Sequence, residues 1–415
     1  MTRSRKSTKS PPPGFEVGQA SWIEISAKAL KRNVSVFRGL LAGKAEAHDG
    51  AGSSKNIAPA LGAVLKSNAY GHGMEEALSI LHPIVDVLLV TTAREAFAIR
   101  RQESKRELSR RRLIVMGAVD SKEIENLARL GVEAVLSGDY VSSHIDVLKR
   151  VGLRLRVHIH VDTGLGREGY ALEDMATVAE MFEKNSDTME LVGICSHFAN
   201  VEDVTEQDYA RKQLQMFEQA AAKLEALSRA AIERHMAASA AAIVLPSARL
   251  DVVRAGISIY GLWPSAETRL SARVLNDDLP RLSPSLSWRC RPQLIKQIES
   301  GSYVGYGCTW RASRPTRIAV LPVGYFDGYP RIVSGRAHVL VGGMRCPIIG
   351  RVMMNHMVAD VTGVPDCDYE SLVTLIGTDG KEQVAAETLA SWAQTINYEI
   401  VARLGSHLDR FIIDG

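Results

Sequence analysis

One lysine closes an apolar run and opens a stretch dense in groups that could act on a ligand: Ala63-Val64-Leu65-Lys66-Ser67-Asn68-Ala69-Tyr70-Gly71-His72-Gly73. An amine at a strand end with apolar neighbours behind it is partly desolvated, which lowers its pKa and makes it available for a Schiff base. Alone, such a lysine would read as a solvated rim residue. The following residues change that reading, because two glycines let backbone amides approach a ligand and Tyr70 offers a hydroxyl to a phosphate. A second concentration of titratable groups lies at 153–162. Alternation there puts Leu153, Leu155, Val157, Ile159 and Val161 on one face and Arg154, Arg156, His158, His160 and Asp162 on the other. His158 and His160 could hold a metal, but no third ligand stands at suitable spacing. They read as hydrogen-bonded histidines, and no metal is expected.

Eight short apolar runs could position these groups: Gly62–Leu65, Val85–Val90, Leu113–Met116, Ala134–Leu136, Leu153–Val161, Leu191–His197, His235–Ala238 and Val252–Ala255. Stretches of helical periodicity lie between them, such as Glu75–Leu81, Ala93–Arg101, Ser121–Leu130 and Tyr209–Ala231. Eight strands, most followed by a helix, predict an α/β fold with an N-terminal (β/α)8 TIM-like barrel. Barrel chemistry collects at the C-terminal ends of the strands. Here those ends carry Lys66-Ser67-Asn68, the run from His160 to Gly164, Ser196-His197-Phe198 and Arg254-Ala255-Gly256.

Beyond about Leu282 the pattern becomes strand-like at Ser287–Ile298, Arg317–Val323, Ala337–Val341, Arg345–Ile349, Met357–Val361 and Leu372–Ile376. Gly342-Gly343 reads as a hairpin turn, and a helix is expected near Ala385–Gln394. The expected division is a disordered basic tail at 1–20, a barrel at 21–280 and a C-terminal, mostly-β domain at 281–415. Its second boundary lies in the polar stretch Asn276–Pro284.

At Ala63–Gly73 the sequence resembles the cofactor-lysine motif of bacterial alanine racemases, fold-type III enzymes that use pyridoxal 5'-phosphate (PLP). The resemblance continues through Val161-Asp162-Thr163-Gly164-Leu165-Gly166-Arg167, Ser196-His197-Phe198-Ala199 and the run from Arg254 to Leu262. In the second domain it covers Gly305-Tyr306-Gly307, the run from Pro322 to Tyr329, Gly350-Arg351-Val352-Met353-Met354-Asn355 and Asn397-Tyr398-Glu399. It implies that Lys66 holds PLP and serves as one base, with Tyr306 as the base on the opposite face of Cα. A tyrosine of ordinary pKa near 10 needs a nearby cation for that work. The family supplies one through a relay that here would be His197 and Arg254. Arg254 would also donate to the pyridine nitrogen and, staying protonated, leave the ring a weaker electron sink than a carboxylate would.

The same resemblance assigns the phosphate to Tyr70, Ser239, the amides of Gly256 and Ile257, and Tyr398. Arg167 would contact the cofactor's phenolic oxygen near the substrate carboxylate, and the Met354 backbone would border the substrate. It implies a homodimer with shared active sites, in which Tyr306 and Met354 come from the partner subunit. The activity implied is interconversion of L- and D-alanine, supplying D-alanine for peptidoglycan.

Three positions depart from the better-known pattern: His160 for a carbamylated lysine, Asn355 for an aspartate, and Ala238 for an asparagine. They motivate the alternative of a broad-specificity racemase acting on serine, lysine or arginine. A fold-type III decarboxylase is disfavoured because Arg254 stands where an acid would be wanted. A non-catalytic PLP carrier of the single-barrel kind is disfavoured by the Tyr306 motif.

Composition agrees with this reading. The formal charge is +3, and Arg3, Arg5, Lys6 and Lys9 against Glu16 account for all of it. The remainder sums to zero, with no electrostatic excess to attract nucleic acid or an anionic membrane. No apolar run reaches the roughly 18 residues of a membrane span. The tail has no apolar segment of a secretory signal, and three consecutive prolines oppose a transit-peptide helix. Five cysteines without a Cys-x-x-Cys spacing read as reduced thiols, so the expected location is cytoplasmic.

Overall fold

The computed structural model describes residues 20–42, 58–138, 141–202, 207–228, 231–275 and 280–414. The expected tail, apart from Ala20, and residues 276–279 of the expected boundary lie outside the described residues. The chain forms two compact units. One joins residues 30–66 to 77–283; the other joins the described part of 1–29 to 67–76 and 284–415.

The first strand, β1 (Ser21–Ser26), belongs to the second of these units. Sequence alternation gave no reason to separate it from the barrel pattern that follows. The eight strands of the barrel unit are β2 (Ala60–Val64), β3 (Val87–Val90), β4 (Arg112–Val115), β5 (Glu133–Leu136), β6 (Leu155–His160), β7 (Met189–Cys195), β8 (Glu233–His235) and β9 (Val252–Ala255). Each pairs in parallel with its successor from β2 to β8, and β9 pairs with β2. The ring closes between β8 and β9, where the Asp251 amide donates to the Arg234 carbonyl (3.0 Å) and the Arg254 amide to that of Ala237 (2.9 Å). This is the expected (β/α)8 barrel. β3 is buried along its whole length, as parallel strands covered on both faces must be. The helix Ala93–Lys105 starts at a capping box, in which the Glu95 amide donates to Thr92 Oγ1 (3.2 Å) and the Thr92 amide to Glu95 Oε2 (3.0 Å).

The other unit contains β10 (Leu286–Cys290), β11 (Leu294–Ile298), β12 (Tyr303–Val304), β13 (Trp310–Arg311), β14 (Thr316–Leu321), β15 (His338–Val341), β16 (Met344–Ile349), β17 (Met357–Asp360), β18 (Val373–Asp379), β19 (Glu382–Val384) and β20 (Asp409–Ile413). The large sheet runs β11-β14-β17-β16-β15-β18-β10-β1-β20, with β19 on β18 and β12–β13 as a separate pair. This is the expected mostly-β domain. Ser287–Ile298 read as one strand, yet the structure breaks it at 291–293. Pro292 has no N–H to give a ladder, and the two halves join different neighbours, β10 with β1 and β18, β11 with β14. Gly342 and Gly343, at φ 59° and 76°, form the two-residue hairpin that was expected.

Among the described residues no helix is long and apolar enough to cross a membrane.

Candidate active site

Parallel strands all end on one side of a barrel, so the residues after β2, β6, β7 and β9 share that side. Leu65 still donates to the Leu89 carbonyl across the β2–β3 pair (2.8 Å), and Lys66 follows immediately. Next comes a turn that sequence reasoning missed: Ser67, Asn68, Ala69 and Tyr70 all have φ of 53–55°. Four consecutive non-glycine residues in the left-handed region cost about 1–2 kcal/mol each, so the surroundings must hold them. Left-handed bonds run from the Gly71 amide to the Ser67 carbonyl (3.1 Å) and from Gly73 to Asn68 (3.0 Å). His72 Nδ1 donates to the carbonyls of Ala69 (3.1 Å) and Tyr70 (3.0 Å), and Arg410 Nε to that of Gly71 (3.0 Å). A Cβ at Gly71 would lie 1.7 Å from the Val401 carbonyl oxygen, so only glycine admits this approach. The one signal in the sequence was the Tyr-Gly-His-Gly run, which marks a turn without giving its hand.

Burial lowers the pKa of Lys66, Arg167 adds to that effect, Glu95 opposes it, and Arg254 again lowers it. The amine is therefore more basic-form-ready than a surface lysine, as a strand-end nucleophile requires. Arg254 lies in β9 and is 7 % exposed. It donates through Nη1 to the His235 carbonyl (2.6 Å) and His235 Nδ1 (2.9 Å). Through Nη2 it donates to the carbonyls of Ser196 (2.8 Å) and Met236 (3.0 Å) and to His197 Nδ1 (3.4 Å). Burial, then the charges of Arg254, Arg167 and Lys66, hold the His197 pKa down at about 3. His197 is therefore neutral, and since its Nδ1 accepts from an arginine, its proton sits on Nε2. The structure thus brings Arg254 and His197 together as expected.

Ser239 opens the short helix Ser239–Val244, and its Oγ accepts from the amides of Gly256 (2.9 Å) and Ser258 (3.4 Å). This joins two of the expected phosphate residues, Ser239 and Gly256, and Ile257 lies between the two donating amides. Ala238 caps that helix without a side-chain hydrogen bond. In the other unit the rings of Tyr70 and Tyr398 lie 6.1 Å apart between centroids. Burial raises the Tyr70 pKa, so its phenol stays protonated and can donate.

Tyr306 follows Gly305, where a Cβ would lie 3.1 Å from the Arg351 nitrogen. The Gly305-Tyr306-Gly307 and Gly350–Asn355 segments thus pack together. A third segment joins them, the Tyr325 and Phe326 amides donating to the carbonyls of Met353 (3.0 Å) and Met354 (2.9 Å). Tyr306 is 71 % and Met354 55 % exposed.

The departures also have definite settings. His160 Nδ1 donates to the Glu168 carbonyl (2.9 Å), and Arg167 donates through Nε (3.1 Å) and Nη2 (2.7 Å) to Glu168 Oε1. Glu168, which sequence reasoning passed over, pairs with Arg167. His158 turns to Glu133 and His235 rather than sharing a site with His160. Among the described residues no group of three or more His, Cys, Asp or Glu could hold a metal ion.

Residues 51–264 match the family described as alanine racemase, N-terminal domain, and 285–412 that described as alanine racemase, C-terminal domain. The chain is 36% identical over 400 residues to an alanine racemase of Leptospira interrogans, covering 95% of this chain and 96% of the relative. It is 33% identical over 393 residues to one of Symbiobacterium thermophilum, covering 94% and 96%. Among solved structures it resembles the alanine racemase of D-cycloserine-producing Streptomyces lavendulae, with TM-score 0.83 and 28% identity over 96% of this chain and 98% of that one. The alanine racemase of Bacillus anthracis with bound L-Ala-P gives TM-score 0.83 and 28% identity over 97% of each chain. The chain belongs to the alanine racemase family of isomerases.

Proposed function

We propose that the chain racemises alanine with PLP by a two-base mechanism in a homodimer, in the cytoplasm, supplying D-alanine for peptidoglycan. The observation that carries this reading is Arg254, a buried, donor-only guanidinium whose hydrogen-bond partners are carbonyls and imidazoles. The donor set fits the cofactor: a lysine of lowered pKa for its aldehyde, Arg254 for its pyridine nitrogen, and a hydroxyl with backbone amides for its phosphate. Lys66 would hold PLP covalently, with Tyr70, Ser239, the amides of Gly256 and Ile257, and Tyr398 on the phosphate. When bound, PLP supplies the electron sink that acidifies the substrate Cα–H.

The chain's own residues then move the proton. Once the substrate amine had displaced it from the cofactor, Lys66 Nζ would remove the proton from Cα on one face, and Tyr306 Oη of a partner subunit would deliver one on the other; the reverse direction exchanges these roles. Neutral His197, with its proton on Nε2, donates to the Tyr306 oxygen and stabilises the phenolate. Arg167, held by Glu168, orients the substrate carboxylate, and the Met354 backbone borders the substrate. The exposure of Tyr306 and Met354 supports their use by a second copy, because a base working near neutral pH needs enclosure. Arg254 disfavours a decarboxylase reading, since it donates where that chemistry wants an acid.

Tyr306→Phe tests the two-base assignment. It should keep PLP, lose about 10²–10⁴-fold in racemisation rate, and exchange the Cα hydrogen of one alanine enantiomer far faster than that of the other. Full activity would refute the assignment. His160, Ala238 and Asn355 support a second reading, a broader racemase. A panel of L-amino acids separates the two, and alanine ranking well below serine, lysine or arginine would favour the second.

A further inference from the structure

Behind Arg254 the barrel interior holds a line of polar groups that the mechanism above does not use. Arg254 Nη1 donates to His235 Nδ1 (2.9 Å), His235 Nε2 meets His158 Nδ1 (3.0 Å), and His158 Nε2 meets Glu133 Oε2 (2.8 Å). His158 and His235 are 0 % exposed and Glu133 2 %. The two rings meet nearly edge to face, at 4.9 Å and 79°. Space for this arrangement is built into β7, where a Cβ on Gly193 would stand 2.0 Å from His158 Nδ1. Glu133 is fixed in turn by Arg112, which donates to Oε2 (2.7 Å) and also binds Glu233 (2.5 Å), and by Arg156 at 2.6 Å from Oε1.

The hydrogens along this line have one permitted order. Arginine can only donate, so His235 Nδ1 accepts and its proton is on Nε2. That proton points at His158 Nδ1, which must accept, placing the His158 proton on Nε2. An ionised carboxylate, which can only accept, stands at the far end. Burial raises the Glu133 pKa, but hydrogen bonds from His158 and Arg112 outweigh it and hold it at about 2. Both histidines are buried against protonation, and their pKa values are lowered.

We propose that Glu133 is a positioning residue for Arg254, acting through His158 and His235 to hold the guanidinium as a fixed donor from within the barrel. The role of Arg254 toward the pyridine nitrogen rests on the reading given under Proposed function; the hydrogen order does not. A network satisfied at every member holds one geometry, whereas a break in it leaves a buried donor unmatched and its neighbour free to turn.

The test uses protein labelled with 15N-histidine, loaded with PLP, and long-range 1H–15N correlation near neutral pH. Both buried imidazoles should be neutral and carry their proton on Nε2. An Nδ1–H tautomer or an imidazolium at either would overturn the proposal. His158→Asn keeps an acceptor for His235 but cuts the link to Glu133. Its kcat should fall about tenfold, as loss of a hydrogen bond to a charged group implies, with the KM for alanine and the PLP absorbance unchanged. An unchanged kcat would overturn the positioning role. The tautomer measurement needs no variant, so a folding defect leaves the proposal decidable. Protein that takes up no PLP would sink the function reading alone, because spectra of the unloaded protein still report the hydrogen order.

Discussion

At the scale of single residues, the site depends on charges that suppress one another. Burial lowers the proton affinity of Lys66 and His197 most, and the charges of Arg167 and Arg254 lower both further. Burial first, and then the neighbouring arginines, leave His197 neutral and Lys66 easier to deprotonate. Lys66→Ala removes the amine while leaving Arg254 and the Ser239 hydroxyl in place. It should abolish the visible PLP absorbance that borohydride reduction fixes to the protein, and undiminished reducible absorbance would contradict the lysine assignment. Much of this was legible in the sequence, because Lys66, His197, Arg254 and Ser239 sit in motifs at strand ends. Glu168 and Glu133 were not. Glu168 directly follows Arg167 but lies just beyond the motif that drew attention, and the role of Glu133 depends on His158 and Arg112, which stand 25 and 21 positions away in sequence.

At the scale of elements, the turn after β2 matters most. Its four left-handed residues are held by His72, Arg410 and the close approach of Gly71 to Val401, contacts more than 300 positions along the chain for the last two. Gly71→Ala would press a methyl into the Val401 carbonyl at a positive φ. It should destabilise the protein by roughly 2–4 kcal/mol and weaken PLP uptake, read by denaturant unfolding and by absorbance titration. Wild-type stability in that variant would show that the approach is not needed. The hairpin at Gly342-Gly343 was legible because its turn chemistry is local. The hand of the Ser67–Tyr70 turn was not, since no local propensity favours it. Nor was the partner of β1, because Trp22-Ile23-Glu24-Ile25-Ser26 alternates like any half-buried strand and pairs with residues more than 260 positions away.

At the scale of the whole molecule, proton linkage predicts acid sensitivity that starts with histidines. His72 is fully buried with its pKa lowered to about 4, first by burial, and His197 behaves likewise at about 3. Between those values and the ordinary 6.5 the unfolded chain binds protons that the folded chain does not. Stability is therefore present above pH 6.5 and lost as pH falls, by about 1.4 kcal/mol per pH unit for each such histidine. Glu133, held at about 2, contributes stability that is lost only below the ordinary carboxylate range. The thermal midpoint should drop between pH 6.5 and 5, and a flat midpoint there would contradict the neutral histidines.

Charge gives the complementary view of the whole. Four N-terminal cations against one acid account for the entire net +3. Deleting residues 1–18 should leave the activity intact, and loss of PLP uptake on deletion would show that the tail takes part. The most direct measurement remains purified protein with PLP and L-alanine, followed by chiral amino-acid analysis. The proposal expects D-alanine to accumulate until the two enantiomers are equal, whichever is supplied first. Absence of D-alanine, with PLP bound, would contradict it.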